Sequence, residues 1–379
     1  MRRAIWYVLA ALTAIGAVVL GLSLILARAL HIHALDPRPD HEPDPRDIEV
    51  TDVADGRITL RRASRRARID PAEPGAWGIE SESGYDQVGP LIERLADGSA
   101  VREFIPVQGV IRPGDLVRLD SYAHPVDPAE AHGLHFEEVL VPAPLGSYPA
   151  WRLNGPLETW AIFVHGKGAG RREALRVLPT VHGAGLPCLV ITYRNDPETS
   201  FDPTRRYHYG AREWKDLEAA VQYAIERGAN GVVIFGYSMG GGITMSFMRR
   251  SPLAEHVHGL ILDAPMLDFE RTVAHRAGSA GVPVKFLAIS NRVSGRLFNL
   301  RWAELDYLAE TGHITVPILL FHGDEDTIVP IETSDALAAA LPELVTYVRV
   351  PGAGHVRAWN TDRPGYEQAV QDFLARTAT

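Results

Sequence analysis

The stretch Gly231–Gly242, reading Gly-Val-Val-Ile-Phe-Gly-Tyr-Ser-Met-Gly-Gly-Gly, constrains this chain more than any other. A short apolar run breaks off in Gly-x-Ser-x-Gly and a helix-compatible segment follows. That is the pattern of a strand turning sharply into a helix, with a serine hydroxyl presented at the turn. The flanking glycines have a steric task, because a side chain at either position would collide with the neighbouring strand or helix. Glycine and serine are common loop residues, so the pentapeptide gains meaning only if a base, an acid and an anion-stabilising loop occur elsewhere in the right order.

With 379 residues, 46% hydrophobic and 22% charged, the chain has enough apolar surface for two domains, or for one large domain with additions. A net charge of −9 speaks against nucleic acid as a partner. The single cysteine, Cys188, excludes an internal disulfide, and its place in the apolar run Leu186–Tyr193 predicts a buried thiol.

The N-terminus departs from ordinary globular sequence. After a tail at 1–3, residues 4–27 contain no charged side chain. As a helix they would span about 36 Å, enough to cross a bilayer core of about 30 Å with some tilt. A signal anchor is expected. Ala27-Arg28-Ala29 also offers a small-x-small cleavage pattern, but the apolar run exceeds the usual span of a cleaved signal peptide. Arg2 and Arg3 before the run favour a cytoplasmic N-terminus, which places a single-pass protein in the cell membrane with the bulk of the chain outside the cytoplasm.

Residues 28–47 read as a linker, rich in proline and charge from Ala34 onward. Its histidines, His31, His33 and His41, have no further ligands at a metal spacing, so no metal site is expected. Residues 48–123 read as a small β-rich module. Asp55-Gly56 marks a hairpin between Ile48–Val53 and Arg57–Leu60, and further short strands are expected at Gly75–Ile79, Phe104–Val107 and Asp115–Leu119. The basic run Arg61–Arg68 is read as a solvated strand face. A linker at His124–Gly133 follows.

From 134 to 379 strands alternate with helices: His135–Val141, Tyr148–Leu153, Glu158–Val164, Pro187–Tyr193, the strand before Ser238, Val257–Leu262, Val316–Phe321 and Val345–Val350. Helices are expected over Gly210–Gly228, behind Ser238, near Ser334–Leu341 and at Pro364–Ala375. This rhythm predicts an α/β class fold, a mostly parallel sheet with helices on both faces. Residues 266–312 interrupt it as an irregular insert.

In such a sheet the loops leaving successive parallel strands gather at one edge. Ser238 is the candidate nucleophile there, Asp326 the acid in His322–Pro330, and His355 the base in Gly-Ala-Gly-His, in the chain order Ser, Asp, His. The histidine would take the serine proton and return it to the leaving group, while the aspartate fixes the imidazole tautomer. Asp324 and Asp263 also lie near strand ends and remain alternative carboxylates. The backbone N–H groups of Met239 and of Lys167, in His165-Gly166-Lys167-Gly168, are the expected oxyanion donors, with the Lys167 ammonium left to solvent. Gly166, Gly168 and Gly170 do not complete a dinucleotide loop, because Arg171 fills the last glycine position, and there is no Walker pattern.

His165-Gly166, Gly236–Gly241, His322-Gly323-x-x-Asp326-x-x-Val329-Pro330 and Gly354-His355 together make residues 134–375 resemble the α/β-hydrolase superfamily. Within it they are similar to the serine-hydrolase branch of lysophospholipase-, monoacylglycerol-lipase- and serine-aminopeptidase-like proteins. The resemblance implies hydrolysis through an acyl-enzyme without metal or organic cofactor, and a cap formed by 266–312.

Substrate is less legible. Met266, Leu267, Phe269, Phe286, Leu287, Leu297, Phe298, Trp302 and Leu305 in the insert suit either an apolar substrate or a core of the cap's own. Arg171, Arg172 and Arg194 follow strand ends and either bind an anion or pair with Glu173, Asp196 or Glu198. A membrane address favours a lipid or other small ester as substrate. The alternatives are a serine peptidase or aminopeptidase, an acyltransferase, or a non-catalytic membrane-tethered binding protein on the same scaffold. The sequence leaves the oligomeric state open.

Overall fold

The computed structural model describes residues 2–37, 45–64 and 69–378. Helix α1 (Arg2–Leu30) carries the uncharged run and passes into a five-residue π-helical turn, His31–Leu35. Six antiparallel strands follow: β1 (Ile48–Ala54), β2 (Arg57–Arg62), β3 (Trp77–Glu80), β4 (Tyr85–Arg94), β5 (Ala100–Gln108) and β6 (Leu116–Asp120). They close into a barrel in the order β1-β2-β5-β4-β3-β6. Alternate side chains point inward, so Val50, Ile58, Leu60, Trp77, Ile79 and Val117 form its core.

Helix α2 (Pro128–His132) leads out of the barrel. Asp127 caps its N-terminus by accepting from the Ala129 and Glu130 N–H groups, and Gly133 ends it in the left-handed region. The main sheet has eight strands: β7 (Glu137–Ala143), β8 (Gly146–Leu153), β9 (Thr159–Val164), β10 (Cys188–Ile191), β11 (Gly231–Tyr237), β12 (Val257–Asp263), β13 (Ile318–Gly323) and β14 (Val345–Val350). Their order is β14-β13-β12-β11-β9-β10-β8-β7. Strands β9 to β14 are parallel, and β7 and β8 are added antiparallel at one side. The remaining helices are α3 (Leu178–Gly183), α4 (Trp214–Ile225), α5 (Met239–Arg250), α6 (Phe269–Ser279), α7 (Val284–Phe298), α8 (Glu332–Ala340), α9 (Ala358–Thr361) and α10 (Arg363–Thr377).

Strand β11 shows how the two layers of helices are held. Val232 and Ile234 pack with Leu217 and Val221 of α4 and Ile243 and Phe247 of α5. Val233 and Phe235 point the other way, into the cluster with Val181 of α3 and Val370 and Phe373 of α10. A strand buried on both faces reads as an unbroken apolar run, which is why this segment lacks alternation. Strand order reverses between β9 and β11, and the loops leaving those two strands diverge there. Such a switch point opens a crevice at the carboxyl edge of a parallel sheet.

Three sequence expectations need correction. The segment 28–47 is not a spacer throughout, because helix continues past Ala27 and residues 31–37 pack against the main domain. Ala34 and Leu35 are buried in its core cluster, and the Tyr207 N–H donates to the Leu35 carbonyl at 2.8 Å. The His124–Gly133 linker contains the capped helix α2. Strand β4 escaped the sequence reading because Gly89-Pro90 interrupts it and its pairing with β5 shifts register near Val88 and Leu91. Residues 38–44 of the spacer, 65–68 of the basic run and the Phe286 side chain lie outside the described residues.

The barrel docks on α9 through Asn360. The Asn360 side-chain amide donates to the Ala76 carbonyl at 2.8 Å and to the Ser121 carbonyl at 2.9 Å, and its carbonyl oxygen accepts from Arg176 at 3.1 Å. Gly75 passes so close that a Cβ there would sit 1.8 Å from the Asn360 carbonyl oxygen. Replacing Asn360 by alanine removes the donors to two part-buried carbonyls and strands a buried guanidinium N–H, and is expected to destabilise the protein by about 1–3 kcal/mol. Denaturant unfolding at neutral pH checks this, and a change below about 0.5 kcal/mol would show that the docking contact is dispensable.

Candidate active site

Ser238 stands between β11 and α5 with φ 48° and ψ −114°, a backbone conformation that non-glycine residues rarely adopt. Its N–H donates to the Asp263 carbonyl at 3.0 Å, and its own carbonyl accepts from Met266 at 2.9 Å and Gly241 at 3.0 Å. The glycines make the turn possible. A Cβ on Gly240 would lie 2.0 Å from the Val164 carbonyl oxygen, and one on Gly236 2.9 Å from the Gly241 Cα. The chain must therefore turn against the backbone of β9 with nothing between them.

The three separated residues meet at this edge. His355 Nε2 is 2.8 Å from Ser238 Oγ, and His355 Nδ1 is 2.7 Å from Asp326 Oδ2. The other Asp326 oxygen accepts from the Ile328 N–H at 2.7 Å and the Val329 N–H at 2.9 Å. Burial pushes the Asp326 pKa up, but the charges of His355 and His322 and their hydrogen bonds outweigh it. The net effect holds this carboxyl well below the usual carboxylate range. His322 Nε2 approaches the same carboxylate at 3.2 Å, while its Nδ1 lies 2.7 Å from Ser334 Oγ. Of the alternative acids, Asp324 is exposed and accepts from Gly352 at 2.7 Å. Asp263 lies buried beneath the site.

Met239 and Lys167 line one cavity with Ser238 and His355. Their backbone N–H groups have no intramolecular partner among the described residues. The Met239 N–H also belongs to the first turn of α5, where unsatisfied donors and the helix dipole favour negative charge. The Lys167 ammonium is not left to solvent: it donates to the His33 carbonyl at 2.7 Å. Burial, together with nearby Arg276, pushes its pKa down to about 8. Lys167 thus ties the N-terminal segment to the loop after β9.

Sequence reading missed a buried frame behind these groups. Glu173 Oε2 accepts from the Gly166 N–H at 2.6 Å and its other oxygen is 3.6 Å from Arg176. Arg176 in turn donates at 2.7 Å to the carbonyl of Val356, a β-branched residue held at φ 53° directly after His355. One Glu/Arg pair therefore fixes the loops on both sides of the serine. The available signal was Glu173 three residues before Arg176, the arginine standing within the otherwise apolar run Ala174–Leu178. His165 and Tyr193 complete the frame, the imidazole meeting Asp196 at 2.9 Å and the phenol donating to the His165 carbonyl at 3.0 Å. The three arginines considered as anion sites are taken by carboxylates: Arg171 by Glu198 and Glu138, Arg172 by Asp120, and Arg194 by Asp216 and Asp202.

The cavity measures about 690 Å³, within the range of small-molecule sites. Tyr122 beyond the barrel, Met266, Phe269 and Thr272 of the insert, and Ile32, His33 and Asp36 of the N-terminal segment complete its wall. Leu267 and Leu305, like Met266 and Phe269, are buried in the main core cluster, so these side chains of the insert extend the main core instead of forming a separate one, and Met266 and Phe269 also face the cavity.

Asp263 gives a pH-dependent prediction. Both carboxylate oxygens are buried with no hydrogen-bond partner among the described residues, Arg176 lies nearby, and burial raises its pKa to about 6. A carboxyl raised in the folded state favours folding below its unfolded pKa of about 3.9, and loses that advantage as pH climbs through 6. Asp263→Asn removes the titration. Its stability relative to the parent protein should therefore rise by roughly 2–3 kcal/mol between pH 4.5 and pH 8. Denaturant melts at the two pH values measure this, and a gap independent of pH would contradict it.

Residues 179–379, more than half of the chain, match the prolyl oligopeptidase family. The uncharacterized protein Rv2307c of Mycobacterium tuberculosis (strain ATCC 25618 / H37Rv) is 27% identical over 223 residues, 58% of this chain and 70% of that protein. The uncharacterized protein YfhR of Escherichia coli (strain K12) is 27% identical over 145 residues, 38% of this chain and 45% of its own. Among solved structures the Pyrococcus furiosus esterase Pf2001 shares the fold. It has a TM-score of 0.55 and 18% identity, and the match covers 68% of this chain and 96% of that one. With its sheet, its serine turn and this match, the chain is an α/β-hydrolase-fold serine hydrolase that belongs to the prolyl oligopeptidase family.

Proposed function

We propose that the protein is a membrane-anchored esterase that forms an acyl-enzyme on Ser238. The observation that carries this reading is the continuous hydrogen-bonded relay from Ser238 through His355 to Asp326, opening on a cavity with two unengaged backbone donors. Ser238 Oγ attacks the ester carbonyl while His355 Nε2 takes its proton. The Met239 and Lys167 N–H groups hold the oxyanion. Collapse expels the alkoxide, protonated by His355, and water repeats the sequence on the acyl group with His355 as base. Asp326 stays ionised throughout and stabilises the imidazolium.

Charge in the cavity supports an ester over an aminopeptide. An aminopeptidase needs carboxylates free to receive the substrate ammonium. Of the two carboxylates in the wall, Glu173 is committed to Gly166 and Arg176 and Asp36 acts on the Lys167 ammonium, while Lys167 and Arg276 add positive charge. A peptidase remains the second reading because the family itself is that of prolyl oligopeptidases.

Anchoring is supported by α1. Gly16–Leu35 has a mean hydropathy of 1.9. On one side Ser23 and Ala27 are buried, with Ser23 near Ser290 of α7, and on the other Val18, Leu22 and Ile25 are uncovered. A helix apolar all round with one face bare suits lipid. Signal cleavage near Ala29 would strip the covered face of α7, which favours an uncleaved, single-pass anchor, and Arg2 and Arg3 before the apolar run favour a catalytic domain outside the cytoplasm.

Three measurements test this reading. Fluorophosphonate should label the parent protein and not Ser238→Ala, whose kcat on p-nitrophenyl acetate should fall by at least about 10³-fold. Faster turnover of aminoacyl-nitroanilides than of p-nitrophenyl esters would replace the esterase reading by the peptidase one. Mass spectrometry of membrane-extracted protein should find the N-terminal segment intact, whereas a mature start near Leu30 would remove the anchor.

A further inference from the structure

Beside the serine cavity runs a second, smaller one of about 240 Å³, walled on one side by Leu26, Ala29 and Leu30 of α1 and on the other by Val273 and Ala277 of α6 and Leu287 of α7. The two adjoin at the end of α1, where His33, Ala34, Val273 and Arg276 line both. The lining of the small cavity is mostly apolar: Ser290 and Asn291 of α7 also face it, with their side chains donating to the Ser23 carbonyl and to Glu270, while Arg276 and the His33–Lys167 contact lie at the junction.

We propose that this seam between α1 and the insert is a groove for the acyl chain of a membrane lipid ester, delivering the carbonyl to Ser238 from the bilayer side. The inference rests on the esterase reading and adds the substrate class. Its first support is continuity, since an alkyl chain laid along the seam ends at the wall that the catalytic cavity shares. The second is address. One wall is the last two turns of the helix whose outer face suits lipid, so the groove opens where that helix leaves the membrane. The third is polarity: a trough of aliphatic side chains, in which Ser290 and Asn291 have their donors already engaged, ends in cationic Arg276 and Lys167 and matches an acyl chain ending in a polar, oxygen-rich ester and headgroup. Leu26 to His33 spans about 10 Å of helix. That accommodates roughly eight methylenes at the rise per bond of an extended chain. Short acyl chains would reach Ser238 without using the seam.

The test uses the full-length protein in mixed micelles and a plug in the groove, Ala277→Trp. For p-nitrophenyl dodecanoate against p-nitrophenyl acetate, the ratio of kcat/KM values should fall at least tenfold in the variant. An unchanged ratio with the acetate still hydrolysed would overturn the groove while leaving the esterase reading intact. A second measurement does not depend on turnover. A palmitate analogue carrying a terminal diazirine, photolysed with Ser238→Ala protein, should label peptides from residues 26–34 and 273–287, and Ala277→Trp should abolish that labelling. Labelling elsewhere, or none, would contradict the groove. Failure of both esters in the parent protein would instead remove the esterase reading, with the photolabel still deciding whether the seam binds acyl chains.

Discussion

Everything at this site depends on one strained residue. Ser238 occupies a backbone conformation that typically costs about 1–3 kcal/mol, and such strain persists only where the surroundings over-determine it. Here the determinants are backbone atoms: the Asp263 carbonyl receiving the Ser238 N–H, the Met266 N–H on the Ser238 carbonyl, and the Val164 carbonyl pressed where Gly240 lacks a side chain. These contacts come from β9, β12 and the start of the insert. The turn is thus clamped by the strands flanking its own, and the buried sheet holds the hydroxyl in place.

Around that turn the protein has built its rigidity from unlike parts. The Glu173–Arg176 pair spans from the Gly166 N–H to the Val356 carbonyl, joining the proposed oxyanion loop to the histidine loop. Asn360 carries the same frame outward to the barrel. The barrel's role therefore includes bracing the loop that holds His355, and its Tyr85 and Asp120 meet the arginine next to Glu173. On the opposite flank, the π-helical turn after α1 closes the cavity through Lys167, Tyr207 and Tyr209, whose hydroxyl donates to the Ala34 carbonyl at 2.9 Å. A segment leading from an apolar helix thus becomes part of the wall around Ser238.

Much of this was legible in the residues, for identifiable reasons. Ser238, Asp326 and His355 could be placed together because parallel strands send their exits to one edge, and the strands themselves are apolar runs bounded by glycine or proline. The barrel was visible as short strands. Strand β4 was not, because Gly89-Pro90 looked like a turn and a bulged strand tolerates both. Residues 28–37 misled for a different reason: Arg28, His31, His33 and Asp36 read as solvated, whereas the decisive contacts are backbone carbonyls at 33, 34 and 35, which carry no sequence signature. The Glu173–Arg176 frame was hidden in the same way, since a charged pair on the short turn Arg171–Arg176 reveals its partners only when distant loops are folded around it.

The central claim is that the clamped hydroxyl becomes the site of a covalent intermediate. Rapid quenching of the full-length protein with p-nitrophenyl acetate, followed by intact-mass and peptide mass spectrometry, tests it most directly. The account predicts a single acetyl adduct per chain, carried on Ser238 and formed in a burst that precedes steady turnover. An adduct on another residue, or p-nitrophenol release at full rate from the Ser238→Ala protein, would contradict it.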